Sequence, residues 1–244
     1  MIKQLLTVFI SVGSVTLSHA QSSPVDTLAF EERAVFAIDY YNKNISEQAE
    51  IYNGPEYIFL PRATKGTPYL ENRFEFTNSA IKYNGTWYSN VPILYDTYKD
   101  VLVATQPQNQ AKYILHEEYL TDFILFGHHF VHLNAIDGDQ GKLHKGFYEQ
   151  LYAGKTIVIG KFEKGRVETT STQGIEVVFD DKQAYYIKKG GTIYNVSSKG
   201  SVLNVFKDKK KELNTYLSRN NINYKENKGL AMAKLAAYYD QISN

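Results

Sequence analysis

Between Tyr57 and Ser197 the chain keeps returning to a two-residue apolar–polar alternation broken by turn-forming dipeptides. That pattern restricts the fold more than any other feature. A strand turns successive side chains to opposite faces, so alternation of this period describes half-buried strands. Phe74-Glu75-Phe76 and Ile81-Lys82-Tyr83 alternate in this way, and Asn84-Gly85 then precedes Thr86-Trp87-Tyr88. Asn-Gly between two such runs signals a tight hairpin, because both turn positions need positive φ. Val91 to Tyr95 and Val101 to Ala104 add strands around an Asp96 to Asp100 turn. Tyr119 to Phe126 and Phe130 to Leu133 read as a hairpin bent at Gly127. Thr156 to Phe162 and Val167 to Thr172 flank Lys164-Gly165, while Ala184 to Lys188 and Thr192 to Val196 flank Gly190-Gly191. No long helical pattern interrupts the run, which argues against parallel βαβ units and for an antiparallel meander.

Helical spacing appears on either side. Leu28, Val35, Ile38 and Tyr41 predict an amphipathic helix within 28–44. After residue 200, Ser201 is expected to cap a short turn carrying Val202, Val205 and Phe206. Asp208 is expected to cap a second helix with Leu213, Tyr216 and Leu217 on one face, ending at Asn220-Asn221. Ala231, Leu235, Tyr238 and Ile242 form the stripe of a third. The predicted fold class is therefore α+β and β-dominated. It is a curved antiparallel meander, open-barrel or half-barrel-like, with one helix before it and two to three C-terminal helices (201–242) packed against it.

Met1 to Ala20 has the composition of a secretory signal: Lys3 at the start, an apolar run from Leu5 to Leu17, and small residues Ser18 and Ala20 before a cleavage point. Cleavage would leave Gln21 first, a flexible lead over 21–27, and a single β-rich domain over 28–244. The expected location is periplasmic or secreted. The chain contains no cysteine. It therefore has no disulfide, thiolate metal site, cysteine nucleophile or lipoprotein anchor, and only burial and backbone pairing can hold the fold. The mature chain is expected to lack a transmembrane segment: the apolar run lies in the signal, and several strands are shorter than the roughly 9–11 residues that cross a bilayer. Charge is nearly balanced, at +1 overall. It is unevenly placed, since eight basic residues from Lys207 to Lys234 face four acids, Asp208, Glu212, Glu226 and Asp240. The sheet region is not basic, so nucleic acid is not an expected partner.

Chemistry-bearing motifs are few. Gly-x-Ser-x-Gly, Walker and Gly-x-Gly-x-x-Gly patterns are absent. Gly127-His128-His129-Phe130-Val131-His132 is the sharpest local feature, with His116 and His144 near it in sequence. On a strand, His128 and His132 share a face and His129 turns away. A metal would need a third ligand, His144 or Glu118, that no spacing places. These residues stand as sheet-face histidines, with no catalytic residue, metal or cofactor assigned; His128, His132 and His144 are the only metal candidates. Asp137-Gly138-Asp139 begins like a calcium loop, but Lys142 and Tyr148 stand where the loop needs glycine and a carboxylate. Carboxylates such as Asp96, Asp100, Glu117 and Glu118 offer glycosidase-type pairs only in the sense that any acid-rich chain does.

Several segments together resemble a known group. They are Tyr52-Asn53-Gly54-x-x-Tyr57, Tyr83-Asn84-Gly85-x-Trp87-Tyr88, Val91-x-x-Leu94-Tyr95-Asp96, Asp100-x-Leu102-Val103, Gly146-Phe147-Tyr148-Glu149-x-Leu151-Tyr152-x-Gly154-Lys155 and Phe206-x-Asp208-Lys209-Lys210-Lys211-Glu212-Leu213. Over about residues 50–242 the chain resembles uncharacterised exported proteins of Bacteroidota-type Gram-negative bacteria. The resemblance implies a bacterial envelope setting, under which the sequons at Asn44, Asn84 and Asn195 lose meaning, and it brings no activity or site residue. With 20 tyrosines and 13 phenylalanines available to strand faces, the expected role is non-catalytic: an exported envelope protein with a binding or structural role, toward a protein partner, an apolar ligand or a glycan. A hydrolase with an unrecognised His/carboxylate site is the alternative.

Overall fold

A computed structural model describes residues 50–61, 63–106, 109–134, 143–172 and 174–243. The expected helix over 28–44, the signal segment and the Asp137 loop lie outside these residues. Among the described residues there are ten strands: β1 (Thr77–Tyr83), β2 (Thr86–Asp96), β3 (Val101–Thr105), β4 (Lys112–Ile114), β5 (Leu120–Leu125), β6 (His128–Leu133), β7 (Gly146–Ala153), β8 (Ile157–Ser171), β9 (Gly174–Lys189) and β10 (Thr192–Val196). Every strand pairing is antiparallel, in one open sheet of order β10-β9-β8-β7-β6-β5-β1-β2-β3-β4. Two meanders thus join where β5 returns beside β1. Helices α1 (Lys199–Val205), α2 (Lys210–Arg219) and α3 (Lys228–Ile242) follow β10.

The sheet is curved, as a geometric argument shows. Five inter-strand steps separate β2 from β8, about 24 Å along a flat sheet. Yet the Lys161 Nζ of β8 lies 2.5 Å from Oδ2 of Asp100, in the β2–β3 turn. The sheet must therefore curl into a half-barrel. Bulges assist, with register shifts between Ser79 and Ile81 against β2 and between Lys82 and Tyr83 against β5. The concave face holds the main core: Ile81, Tyr83, Ile93, Tyr95, Phe123, Phe130 and Phe147 are all buried. Tyr95 packs edge-on against Phe123, Phe130 and Phe147. Farther along the same face the three helices cover Val158, Tyr185, Ile187 and Val196.

The short hairpins follow their turn residues. Asn84 and Gly85 have φ of 48° and 77°, and Gly190 and Gly191 have 55° and 81°. Five expectations are corrected. Lys164-Gly165 is not a turn, because β8 runs unbroken through it; a Cβ on Gly165 would meet Asp180 Oδ2 at 2.7 Å, so glycine serves close cross-strand approach. Phe74-Glu75-Phe76 precedes β1 and is not in a strand. The α1 cap is Ser198, with Ser201 completing the capping box from its third position. Asp208 likewise does not cap α2; it accepts from Tyr239 Oη and Lys189 Nζ at 2.9 and 3.0 Å. The face of α3 is also rotated from its expected stripe, burying Ala231, Met232, Leu235, Ala236 and Tyr239.

Before β1, residues 55–61 and 63–75 form a strap that crosses the sheet. Near its start it pairs with the edge strand β4, through Glu56 and Tyr113. At Lys65 it pairs with Val178 of β9, and at Tyr69 with Asp96. The buried carboxylate of Asp96 anchors it, accepting from Tyr57 Oη at 2.6 Å and from the amides of Tyr98 and Lys99. Burial pushes the Asp96 carboxyl upward against those hydrogen bonds.

Candidate functional site

β6 carries the histidine cluster as alternation requires, with Phe130 buried between the inward-facing His128 and His132. The histidines do not converge. His132 Nε2 lies 2.7 Å from Glu117 Oε1, which Lys145 Nζ also approaches at 3.3 Å. Burial raises the Glu117 carboxyl, but the hydrogen bonds from His132 and Lys145 outweigh it and leave the group lowered. His129 pairs with Asp122 at 3.0 Å on the other face, and His116 with Glu118 at 3.5 Å. The main chain of His144 brackets the Tyr148 hydroxyl, its amide donating at 3.1 Å and its carbonyl accepting at 2.9 Å. Among the described residues no three His, Asp or Glu side chains gather as a metal centre.

His128 has the most developed surroundings. Its Nδ1 lies 2.6 Å from Glu149 Oε1 on β7, and its Nε2 lies 3.3 Å from Glu71 Oε1 on the strap. The hydrogen bond to Glu149 raises the imidazole pKa most; burial opposes it, and Glu71 adds to the rise. Flanked this way the ring is clamped between two carboxylates, one at each nitrogen. It offers a substrate neither a free lone pair nor an uncommitted proton. The clamp borders a cleft of about 550 Å³ between the β5–β6 turn, Phe162, Tyr185 and the start of α3. The Asn227 side chain accepts from the Leu230 amide at 2.9 Å and caps that helix.

A second concavity lies on the strap. Phe59, Leu60, Pro61, Pro68, Tyr69 and Phe74 line a groove of about 610 Å³. A train of aromatic rings runs through it, buried at both ends and exposed in the middle. Tyr57 meets Phe59 at 5.0 Å between centroids, Phe59 meets Phe74 at 5.8 Å, and Phe74 meets Tyr69 at 5.3 Å. Tyr57 and Tyr69 are buried, whereas Ile58 is 75% exposed and Phe74 59%. Lys99 fixes the segment from the side, donating to the Ile58 carbonyl at 3.1 Å and lying 4.5 Å from the Tyr57 ring centroid.

Sequence reasoning missed Glu71, Glu149, Phe59 and Phe74. Glu149 had one usable signal: it sits two residues from both Phe147 and Leu151, hence on an apolar strand face. Comparison with protein-family models, curated proteins and solved structures finds no match for this chain.

Proposed function

We propose that this chain is a non-catalytic binding protein of a bacterial envelope, exported by its first twenty residues, and that the strap groove seats an apolar ligand. The exposed Phe59–Phe74 pair carries the reading. Two large rings and Ile58 stand in water on a segment tied down on both flanks, so their exposure is built in rather than a by-product of slack. A groove of about 610 Å³ lies within the size range of small-molecule sites. At His128 both ring nitrogens face carboxylates, which leaves that imidazole no nitrogen to take a substrate proton.

The test is titration with the environment-sensitive dye anilinonaphthalene sulfonate, with decanoate and maltohexaose as competitors. Dye enhancement that decanoate reverses, and that falls at least fivefold in the Phe59→Ala/Phe74→Ala variant with unchanged circular dichroism, supports the groove. Enhancement indifferent to the double substitution, or displaced only by the oligosaccharide, overturns the apolar reading. Intact mass of protein recovered outside the cytoplasm should place Gln21 first; retention of Met1 to Ala20 would refute export.

A further inference from the structure

The β8–β9 hairpin is far longer than its neighbours require. β7 pairs with β8 only as far as Gly160, and β10 pairs with β9 only from Tyr185 onward. From Lys161 to Ser171 and from Gly174 to Ala184 the two strands continue as a ribbon. The strap covers part of the β9 edge, with Thr64 and Lys65 donating to the Val177 carbonyl. The opposite edge, β8 beyond Gly160, has no strand beside it among the described residues. Alternate residues there turn N–H and C=O outward, a template for another strand. Val167 is 53% exposed on this edge. Bulges and prolines are among the devices that keep edge strands from pairing, and charged side chains there select which partner can pair. β8 has neither a bulge nor a proline between Lys164 and Thr170, and its register against β9 is regular.

The order of charges selects the partner. In an antiparallel pairing of two copies of β8 about a two-fold axis at Val167, Arg166 stands opposite Glu168 of the second copy, twice over. Gly165 then faces Thr169, and Val167 faces itself. Moving the axis one residue either way sets Arg166 against Arg166 or Glu168 against Glu168. Arg166 and Glu168 already pair within one chain. A guanidinium carries more N–H donors than one carboxylate accepts from, so a second carboxylate can share it.

We propose that the outer edge of β8, from Lys164 to Thr170, pairs with the same edge of a second copy of this chain, making a two-fold dimer with a continuous sheet. Seven residues a side is a small interface, at the low end for specific association, so the dimer exchanges with monomer over a micromolar range. The absence of cysteine makes the experiment clean. Val167→Cys places two thiols directly across the axis at a spacing a disulfide spans. Mild oxidation should convert it to covalent dimer, while Ile175→Cys, an exposed residue on β9, should cross-link at least tenfold less. In sedimentation velocity of the full chain, Arg166→Glu should weaken self-association about tenfold or more, because opposed like charges repel across strands. Arg166→Glu with Glu168→Arg should restore it. A wild-type chain monomeric at all concentrations would overturn the proposal. So would equal cross-linking at both cysteines, or a dimer unaffected by Arg166→Glu.

Discussion

The contact that reveals the curvature also makes an asymmetric prediction about stability. Lys161 Nζ reaches Asp100 Oδ2 at 2.5 Å and the Phe147 carbonyl at 3.0 Å, and lies 4.9 Å from the centroid of the Tyr148 ring. The lysine side chain is 7% exposed and the aspartate 26%. Asp100 keeps other support, since its Oδ1 accepts from Tyr95 Oη at 2.5 Å and the Phe147 amide approaches Oδ2 at 3.4 Å. Removing the negative charge strands a buried ammonium, whereas removing the ammonium leaves a carboxylate with two donors and some water. Asp100→Asn is the right first perturbation, because Asp100 has φ of 57° and asparagine tolerates that conformation. It should cost about 3 kcal/mol, as breaking a buried pair from one side does. Lys161→Met, of similar length and apolar, should cost about 1–2 kcal/mol. The double variant should also cost about 1–2 kcal/mol, well below the sum, giving a coupling of about 3 kcal/mol. Urea unfolding followed by tyrosine fluorescence measures all three; with a slope of about 3 kcal/mol/M, Asp100→Asn shifts the midpoint by about 1 M. Additive costs, or Lys161→Met costing more than Asp100→Asn, would refute this account of the pair.

Two other outcomes follow. A Cβ on Gly85 meets nothing within 4 Å, and φ there is 77°, so Gly85→Val should cost about 1 kcal/mol or more from backbone strain alone and Gly85→Asn far less; chemical denaturation that ranks them equally would contradict the turn assignment. The His128 pKa is raised in the folded chain above its ordinary 6.5, so its clamp contributes fully below pH 6.5 and fades as pH rises through the raised folded value. Thermal melts of His128→Gln and wild type should therefore differ more at pH 6 than at pH 9, and parallel pH profiles would remove the imidazolium from the description.

How much of this could be read from the chain depended on how local its cause was. Asn84-Gly85 and Gly190-Gly191 were legible because positive φ is a demand of the turn itself. Gly165 carried the same letter for a different reason, approach of Asp180 and Lys182 across the ladder, and so was misread as a turn. β7 escaped notice because Phe147 and Tyr148 are buried on opposite faces, which erases alternation. Period two put His128 and His132 on one side correctly. Their partners lie 57, 21 and 15 residues away, at Glu71, Glu149 and Glu117, and no periodicity reports contacts of that range. The strap groove was invisible for the opposite reason: Phe59 and Phe74 resemble core residues in a list of letters, and only the fold leaves them outside.

The strap also has a consequence in time. Lys65 is made early, yet its partner Val178 lies 113 positions later, and its lateral support Asp96 belongs to a turn whose floor is Lys161. Closing loops of that length loses entropy before any contact repays it, and such closures come late. The Lys65 portion of the strap is thus among the last parts to dock. Tyr57 and Tyr69 can seat on Leu94 and Val103 as soon as β2 and β3 exist, whereas Thr64 and Lys65 wait for Val177 and Val178 of β9. A chain that stops short of Val178 therefore carries a strap docked at its Tyr57 end and loose at Lys65.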